Sequence, residues 1–170
     1  DKGRAVPPRT MGEIICRSAQ TMNAYFGQPE ATAQAIRDGW LYTGDAGYLD
    51  EEGYLYICDR VKDMIISGGE NIYPAEVESV LAAHPSIAEV AVIGIPDARW
   101  GESVLACVVC QPGALLDESA LIDWSRTRLA GYKIPRQMTL LPCLPRNASG
   151  KVLRRELRAP YWVGHTRQVI

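Results

Sequence analysis

The stretch that decides the fold is Asp59-Arg-Val-Lys-Asp-Met-Ile-Ile-Ser-Gly-Gly-Glu-Asn-Ile-Tyr-Pro-Ala-Glu-Val-Glu78. Four of its first five residues are charged, and the chain changes character there. Met64-Ile-Ile66 is a short apolar strand, and Ser67-Gly-Gly-Glu70 reads as a flexible loop, because two glycines bring no side chain to order it. A helix opens near Pro74, whose fixed φ suits a first helical position. Glu76 and Glu78 lie in its first turn, where the helix dipole favours carboxylates. Val77, Val80 and Leu81 share one face, and Pro85 stops the run.

Downstream, strands follow at 87–94 and 103–110. Residues 118–130 predict a second helix, with Asp117 as N-cap, a buried stripe of Leu121, Ile122, Trp124 and Leu129, and Gly131 at C′. Residues 137–141 are a last strand and 152–157 a short basic helix, giving β-α-β-β-α-β-α over 64–158. Upstream, residues 1–10 are polar and expected to trail. Gly12-Glu-Ile-Ile-Cys-Arg17 is a short strand, 29–38 a helix opened by Pro29, and Asp50-Glu-Glu-Gly53 a turn between strands at Tyr48-Leu49 and 54–58. Residues 11–60 are mostly β and too few to stand alone.

The chain has 170 residues, enough for one domain or one domain and part of another. Formal net charge is −2, so there is no basic field for nucleic acid. The longest apolar run, Ile87 to Ile95, is interrupted by Glu89 and Gly94 and is too short to cross a bilayer. No apolar signal region follows Asp1-Lys-Gly-Arg4, so a soluble, cytoplasmic protein is expected. The five cysteines read as reduced, buried small hydrophobes. Cys107-Val-Val-Cys110 lies in a β-like run, where an offset of three sends the thiols to opposite faces. There is no second pair to complete a zinc site, and no metal site is expected.

Three polar clusters remain: Tyr42-Thr-Gly-Asp45 with Asp59-Arg60; Lys62 to Glu70; and Pro145-Arg-Asn-Ala-Ser-Gly-Lys151. Each has an ordinary reading by itself. Thr-Gly-Asp is a common turn, a surface Asp–Arg pair contributes under about 1 kcal/mol, and Gly-Gly is a common hinge. Ser149-Gly-Lys151 ends like a phosphate-binding loop but has Pro145 in place of the first glycine and Val152 in place of Ser or Thr.

Together and in order, the clusters resemble the C-terminal third of the adenylate-forming superfamily: acyl-CoA synthetases, nonribosomal peptide adenylation domains and luciferases. The residues that carry it are Gly39-Trp-Leu-Tyr-Thr-Gly-Asp45, Asp50-Glu-Glu-Gly-Tyr54, the run from Asp59 to Glu78, and Pro145-Arg-Asn-Ala-Ser-Gly-Lys-Val-Leu-Arg-Arg155. Asp97-Ala-Arg-Trp-Gly-Glu102 looks most like fatty-acid and aryl acid:CoA ligases. The resemblance implies an α+β fold, a small mixed sheet with flanking helices, preceded by a short, mostly β segment. It implies residues 1–61 as the end of a large AMP-binding domain, 62–158 as a mobile C-terminal domain hinged at Lys62, and 159–170 as a tail, whose aromatic Pro160-Tyr-Trp-Val-Gly-His165 is expected to pack on the N-terminal domain that these residues do not include, or on a neighbour.

The implied chemistry is activation of a carboxylic acid with ATP to an acyl-adenylate, then acyl transfer to CoA. Asp45 matches the carboxylate that holds the ribose hydroxyls, for which an acceptor-only side chain is suited. Arg60 matches the arginine of the ribose and phosphate region. Lys62 matches the hinge, and Lys151 the lysine that reaches the carboxylate and α-phosphate during adenylation. Gly68 and Gly69, with Glu70, match the loop lining the pantetheine tunnel, and Trp100 a contact to the CoA nucleotide. Magnesium is expected through an N-terminal domain, which is the expected partner along with ATP, AMP, CoA and a carboxylic acid; without it the residues present are expected to be inactive. Two alternatives stay open: an adenylation domain that loads a carrier-protein pantetheine, and a non-catalytic interaction module of the same fold.

Overall fold

A computed structural model describes residues 3–165; residues 1–2 and 166–170, the last part of the expected tail, lie outside the described residues. The chain divides into two compact units, Asp1–Val61 and Lys62–Ile170.

The first unit holds β1 (Gly12–Cys16), α1 (Pro29–Ala35), β2 (Ile36–Arg37), β3 (Trp40–Leu49) and β4 (Leu55–Arg60). β3 is central and antiparallel to the other three. α1 is shorter than the expected 29–38. Ile36 and Arg37 instead pair with Leu41 and Trp40 across Asp38-Gly39, whose φ values of 51° and 78° suit a tight hairpin turn. The acidic turn is closed by Asp50, whose Oδ1 accepts the amides of Glu52 and Tyr54 at 3.0 and 2.9 Å, and Tyr48 stacks on its cross-strand partner Tyr56 at 5.0 Å. The segment expected to trail is tied down: the Arg9 amide bonds the Leu49 carbonyl at 2.7 Å, and its guanidinium pairs with Glu51.

A 3-10 turn, Val61–Asp63, holds the boundary, and the second unit runs from it through β5 (Ile65–Ser67), β6 (Glu70–Ile72), α2 (Pro74–Ala82), β7 (Ile87–Asp97), β8 (Gly101–Cys110), α3 (Glu118–Arg126), β9 (Gln137–Leu140) and α4 (Arg154–Arg158). The sheet order is β6-β5-β8-β7, with β9 beside β8 in the one parallel pairing among the described strands. The sheet is therefore mixed, and the fold class is the expected α+β.

β8 explains the packing. Its side chains alternate between two buried clusters. Val104, Ala106 and Val108 pack with Val77 and Leu81 of α2 and Leu121 of α3. Leu105 and Cys107 face Ala91, Ile93, Ile95 and Leu144, against which Leu157 of α4 and Tyr161 pack. Both faces are covered, so the strand reads as a continuous apolar run. Cys107 and Cys110 fall on opposite faces as the alternation requires, and burial pushes the Cys107 thiol up to about 11. Cys16 and Cys143 are exposed, against the expectation of burial; one ends a strand and the other follows β9 in a turn.

Four further expectations change. Ser67–Glu70 is not a flexible loop: Gly68 and Gly69, at φ 61° and 85°, form the two-residue turn of the β5–β6 hairpin. α3 stops at Arg126, and Gly131 opens a 3-10 turn where a helix C′ was expected, although Asp117 does cap α3 by accepting from the Ala120 amide. α4 starts at Arg154, because Val152 is held in a β-bridge to Arg146. The aromatic tail packs on its own unit: Tyr161 Oη lies 3.2 Å from Thr139 Oγ1, and the Trp162 indole donates to the Gly94 carbonyl at 3.0 Å. Among the described residues no helix is long and apolar enough to cross a membrane, and no group of three His, Cys, Asp or Glu could hold a metal.

Candidate functional site

In the first unit the site is a bulge. Glu13 pairs with Ala46 and Ile15 with Tyr42, so β3 uses four residues where β1 uses two. Thr43, Gly44 and Asp45 thus stand against Ile14 alone, two residues more than a regular ladder needs, with Gly44 at φ 74°. The triplet is thus a strand irregularity where the sequence suggested a turn. Thr43 Oγ1 donates to the Ile14 carbonyl at 2.7 Å and accepts the Asp45 amide at 3.1 Å. On the other edge Asp45 stands opposite Arg60, 3.1 Å from its guanidinium. Both side chains are part-exposed, so the pair adds little stability. What the bulge provides is an oriented carboxylate with a cation beside it, reachable from solvent.

In the second unit Gly68, Gly69 and Trp100 come together. Asp97 Oδ1 accepts the amides of Arg99 and Trp100, each at 2.9 Å, and these bonds, Trp100's first, hold its carboxyl below the usual range. The loop so shaped sets the Trp100 carbonyl to accept the Gly68 amide at 2.8 Å, with the indole over Gly68. A Cβ at Gly68 would lie 2.8 Å from the ring, whereas one at Gly69 would meet nothing within 4 Å. Gly68 is therefore required by packing and Gly69 leaves open backbone. Glu70 opens β6 at the mouth of the same hairpin and is exposed. The guanidinium carbons of Arg99 and Arg136 sit 4.6 and 5.5 Å from the Trp100 ring. Sequence reasoning missed both arginines; Arg99 had adjacency to Trp100 as a signal, while Arg136 arrives only because its amide bonds the Val104 carbonyl.

Lys62 is exposed in the 3-10 turn, and the next residue, Asp63, is buried. Arg158 Nη2 reaches Asp63 at 3.1 Å, and Arg154 lies at 3.9 Å. Arg154 Nη2 also donates to both carboxylate oxygens of Glu78 at 2.8 and 2.7 Å, and Glu78 accepts the Val92 amide. This ionic web ties the residue after Lys62 to α2, β7 and α4. The available signal was the i, i+4 spacing of Arg154 and Arg158 on one helix face.

Lys151 lies apart from the glycine turn. It is exposed, in a reversal running from Pro145 to Leu153 beside the Leu144 cluster, whereas Ile65 and Ile72 of the glycine hairpin belong to the other cluster. The Gly150 amide bonds the Asn147 carbonyl at 2.9 Å, Gly150 takes φ 81°, and Leu153 N–H bonds the Pro145 carbonyl. Lys151 therefore precedes α4 by a bridged turn and does not begin the helix.

Residues 76–151 match the family model of the AMP-binding enzyme C-terminal domain. The chain is 47% identical over 168 residues to the fatty acid–[acyl-carrier-protein] ligase ScoC of Streptomyces coeruleorubidus, covering 99% of this chain and 32% of that protein. It is 51% identical over 156 residues to a feruloyl-CoA synthase of an Amycolatopsis species, covering 92% and 32%. The o-succinylbenzoate CoA synthetase MenE of Bacillus subtilis, solved with the acyl-adenylate intermediate OSB-AMP, superposes with a TM-score of 0.86 at 47% identity, over 92% of this chain and 32% of that one. The chain thus spans about a third of the length of these relatives. Residues 76–151 thus match an AMP-binding enzyme C-terminal domain, and nearly the whole chain is similar to a third of these ligases and synthetases.

Proposed function

We propose that the chain is the C-terminal third of an AMP-forming acid:CoA ligase that activates a fatty or aryl carboxylic acid. In the first half-reaction a carboxylate oxygen attacks the α-phosphorus of ATP, a substrate supplied as its magnesium complex, and pyrophosphate leaves. The Lys151 ammonium neutralises charge building on the phosphoryl and carboxylate oxygens, and Asp45 and Arg60 hold the ribose side. In the second, the CoA thiol attacks the acyl carbonyl and AMP leaves. The domain turns about Lys62 between the steps, exchanging the Lys151 turn for the Gly68-Gly69 turn and its neighbour Glu70. The N-terminal two-thirds of the longer protein brings the acyl pocket and most of the ATP site. The reaction so proposed is a cytoplasmic one, where both ATP and CoA are supplied.

The observation that carries this reading is the presence of two exposed glycine-built turns on one domain, one offering a cation and the other an open backbone. Trp100 with the Arg99 and Arg136 guanidinium groups at its ring favours CoA as the thiol, since its nucleotide end brings an aromatic base and several phosphates. A carrier-protein pantetheine is the second reading, favoured by the similarity to an acyl-carrier-protein ligase. The test uses the longer protein with ATP and a panel of acids, offered CoA or a pantetheinylated carrier. Acyl-CoA formation, weakened by Trp100→Ala, supports the proposal. Loading of carrier alone selects the second reading, and no adenylate with any acid leaves a non-catalytic module.

A further inference from the structure

The turn bearing Lys151 is bound more closely than a simple reversal requires. Asn147 Oδ1 accepts three hydrogen bonds: from the Ser149 amide at 3.1 Å, the Ser149 hydroxyl at 2.8 Å and the Lys151 amide at 2.9 Å. The Asn147 amide donates to the Lys151 carbonyl at 3.0 Å. Both main-chain polar groups of Lys151 thus close on one residue, four positions back. The adjoining Arg146 donates to the Gly150 carbonyl at 2.7 Å and pairs with Glu89 of β7, tying the turn to the sheet. Apart from Pro145 the turn is exposed up to Lys151. Bonds there compete with water and contribute little net stability; their effect is to fix geometry. A lysine side chain already gives up rotamer freedom when it docks on an anion. A wandering backbone beneath it would add to that loss at the moment of reaction, and small misplacements of a reacting group are costly.

We propose that Asn147 is a positioning residue for adenylate formation, presenting Lys151 from a backbone fixed in advance. This rests on the reading of Lys151 given above. Residue by residue, the side chain acts as an acceptor only, through one oxygen, and reaches the substrates solely through Lys151.

The experiment measures each half-reaction by single turnover in the longer protein, ATP plus acid and acyl-adenylate plus CoA, for Asn147→Ala, Asn147→Thr, Lys151→Ala and the double Ala variant. Lys151→Ala is expected to slow adenylation on the order of a hundred- to thousandfold and spare acyl transfer. Asn147→Ala should slow adenylation by roughly ten- to a hundredfold, through the rate and not the KM for ATP, and also spare acyl transfer. Asn147→Thr, which keeps a neutral acceptor oxygen, should recover part of the loss. The double variant should be no slower than Lys151→Ala, because Asn147 then has nothing to position. A further loss in the double variant, an equal loss in both half-reactions, or an unaffected Asn147→Ala beside a crippled Lys151→Ala overturns the positioning role and leaves the proposed function standing. An unaffected Lys151→Ala overturns the role of Lys151 and with it the positioning role, while absence of adenylate from the unaltered longer protein with every acid overturns the proposed function itself.

Discussion

Ala46 is the one buried apolar side chain among the described residues of the first unit, while the second unit buries two clusters on the faces of one sheet. The first unit instead leaves Tyr54, Leu55, Tyr56 and Ile57 about half exposed or more. Both are built on strands joined by glycine turns, yet only the second has helices that bury side chains across its sheet. A sheet needs a second layer to bury its apolar face, and α1 has no buried residue to offer. The first unit therefore owes its shape to turns and hydrogen bonds, and the second to its core. Under the proposed function, the missing layer is the N-terminal domain of the longer protein.

Cutting at the boundary breaks the comparison most severely. Residues 62–170 alone should unfold cooperatively in urea, and residues 1–61 alone should show no cooperative transition and rapid amide exchange. A cooperative transition in 1–61 would contradict the contrast. Next, Leu81→Ala removes a fully buried side chain of α2 and should cost about 2–5 kcal/mol in the second unit, whereas Ile57→Thr in the first should stay within about 0.5 kcal/mol; chemical denaturation of both variants checks the difference.

Smaller in stability but selective in function is Gly69→Leu. Positive φ strains any side chain there by about 1–2 kcal/mol, and the leucine would stand in open space beside Trp100, in the proposed path of the thiol. Adenylation should persist and thioester formation should slow; equal losses in the two half-reactions would make the turn structural only. Smallest is a perturbation that changes no residue. Exposed Cys16 and Cys143 should alkylate within minutes at neutral pH, while Cys107, buried and with its thiol pushed up to about 11, should react only on unfolding of the second unit. Because burial favours the protonated thiol, this contribution to stability is complete below the ordinary thiol pKa and is lost as pH rises toward 11. Mass spectrometry of the alkylated peptides gives the order directly.

Much of the second unit was legible residue by residue. Pro74, Asp117 and the two apolar stripes are local signals, and the strand period alone sends Cys107 and Cys110 to opposite faces. Asp45, Arg60, Gly68, Gly69 and Lys151 were singled out because their motifs are contiguous. The β5–β6 hairpin was lost to a loop, since Gly-Gly fits a hinge as well as a tight turn until a partner strand exists. The end of α3 was overrun because Leu129 stays buried after the helix has stopped.

The sequence by itself determined the α+β class and most of the order of the elements in the second unit, and its motifs singled out the residues proposed to meet a nucleotide and a thiol, because propensity, period and motif are properties of neighbours along the chain. Tertiary structure alone decided that Arg136 would stand by Trp100, that Asp63 would be gripped by Arg154 and Arg158, and that Arg146 would anchor the Lys151 turn on Glu89. Those partners are separated by tens of residues, and no local preference relates them. They meet because the sheet fixes its register and the helices must cover its two faces.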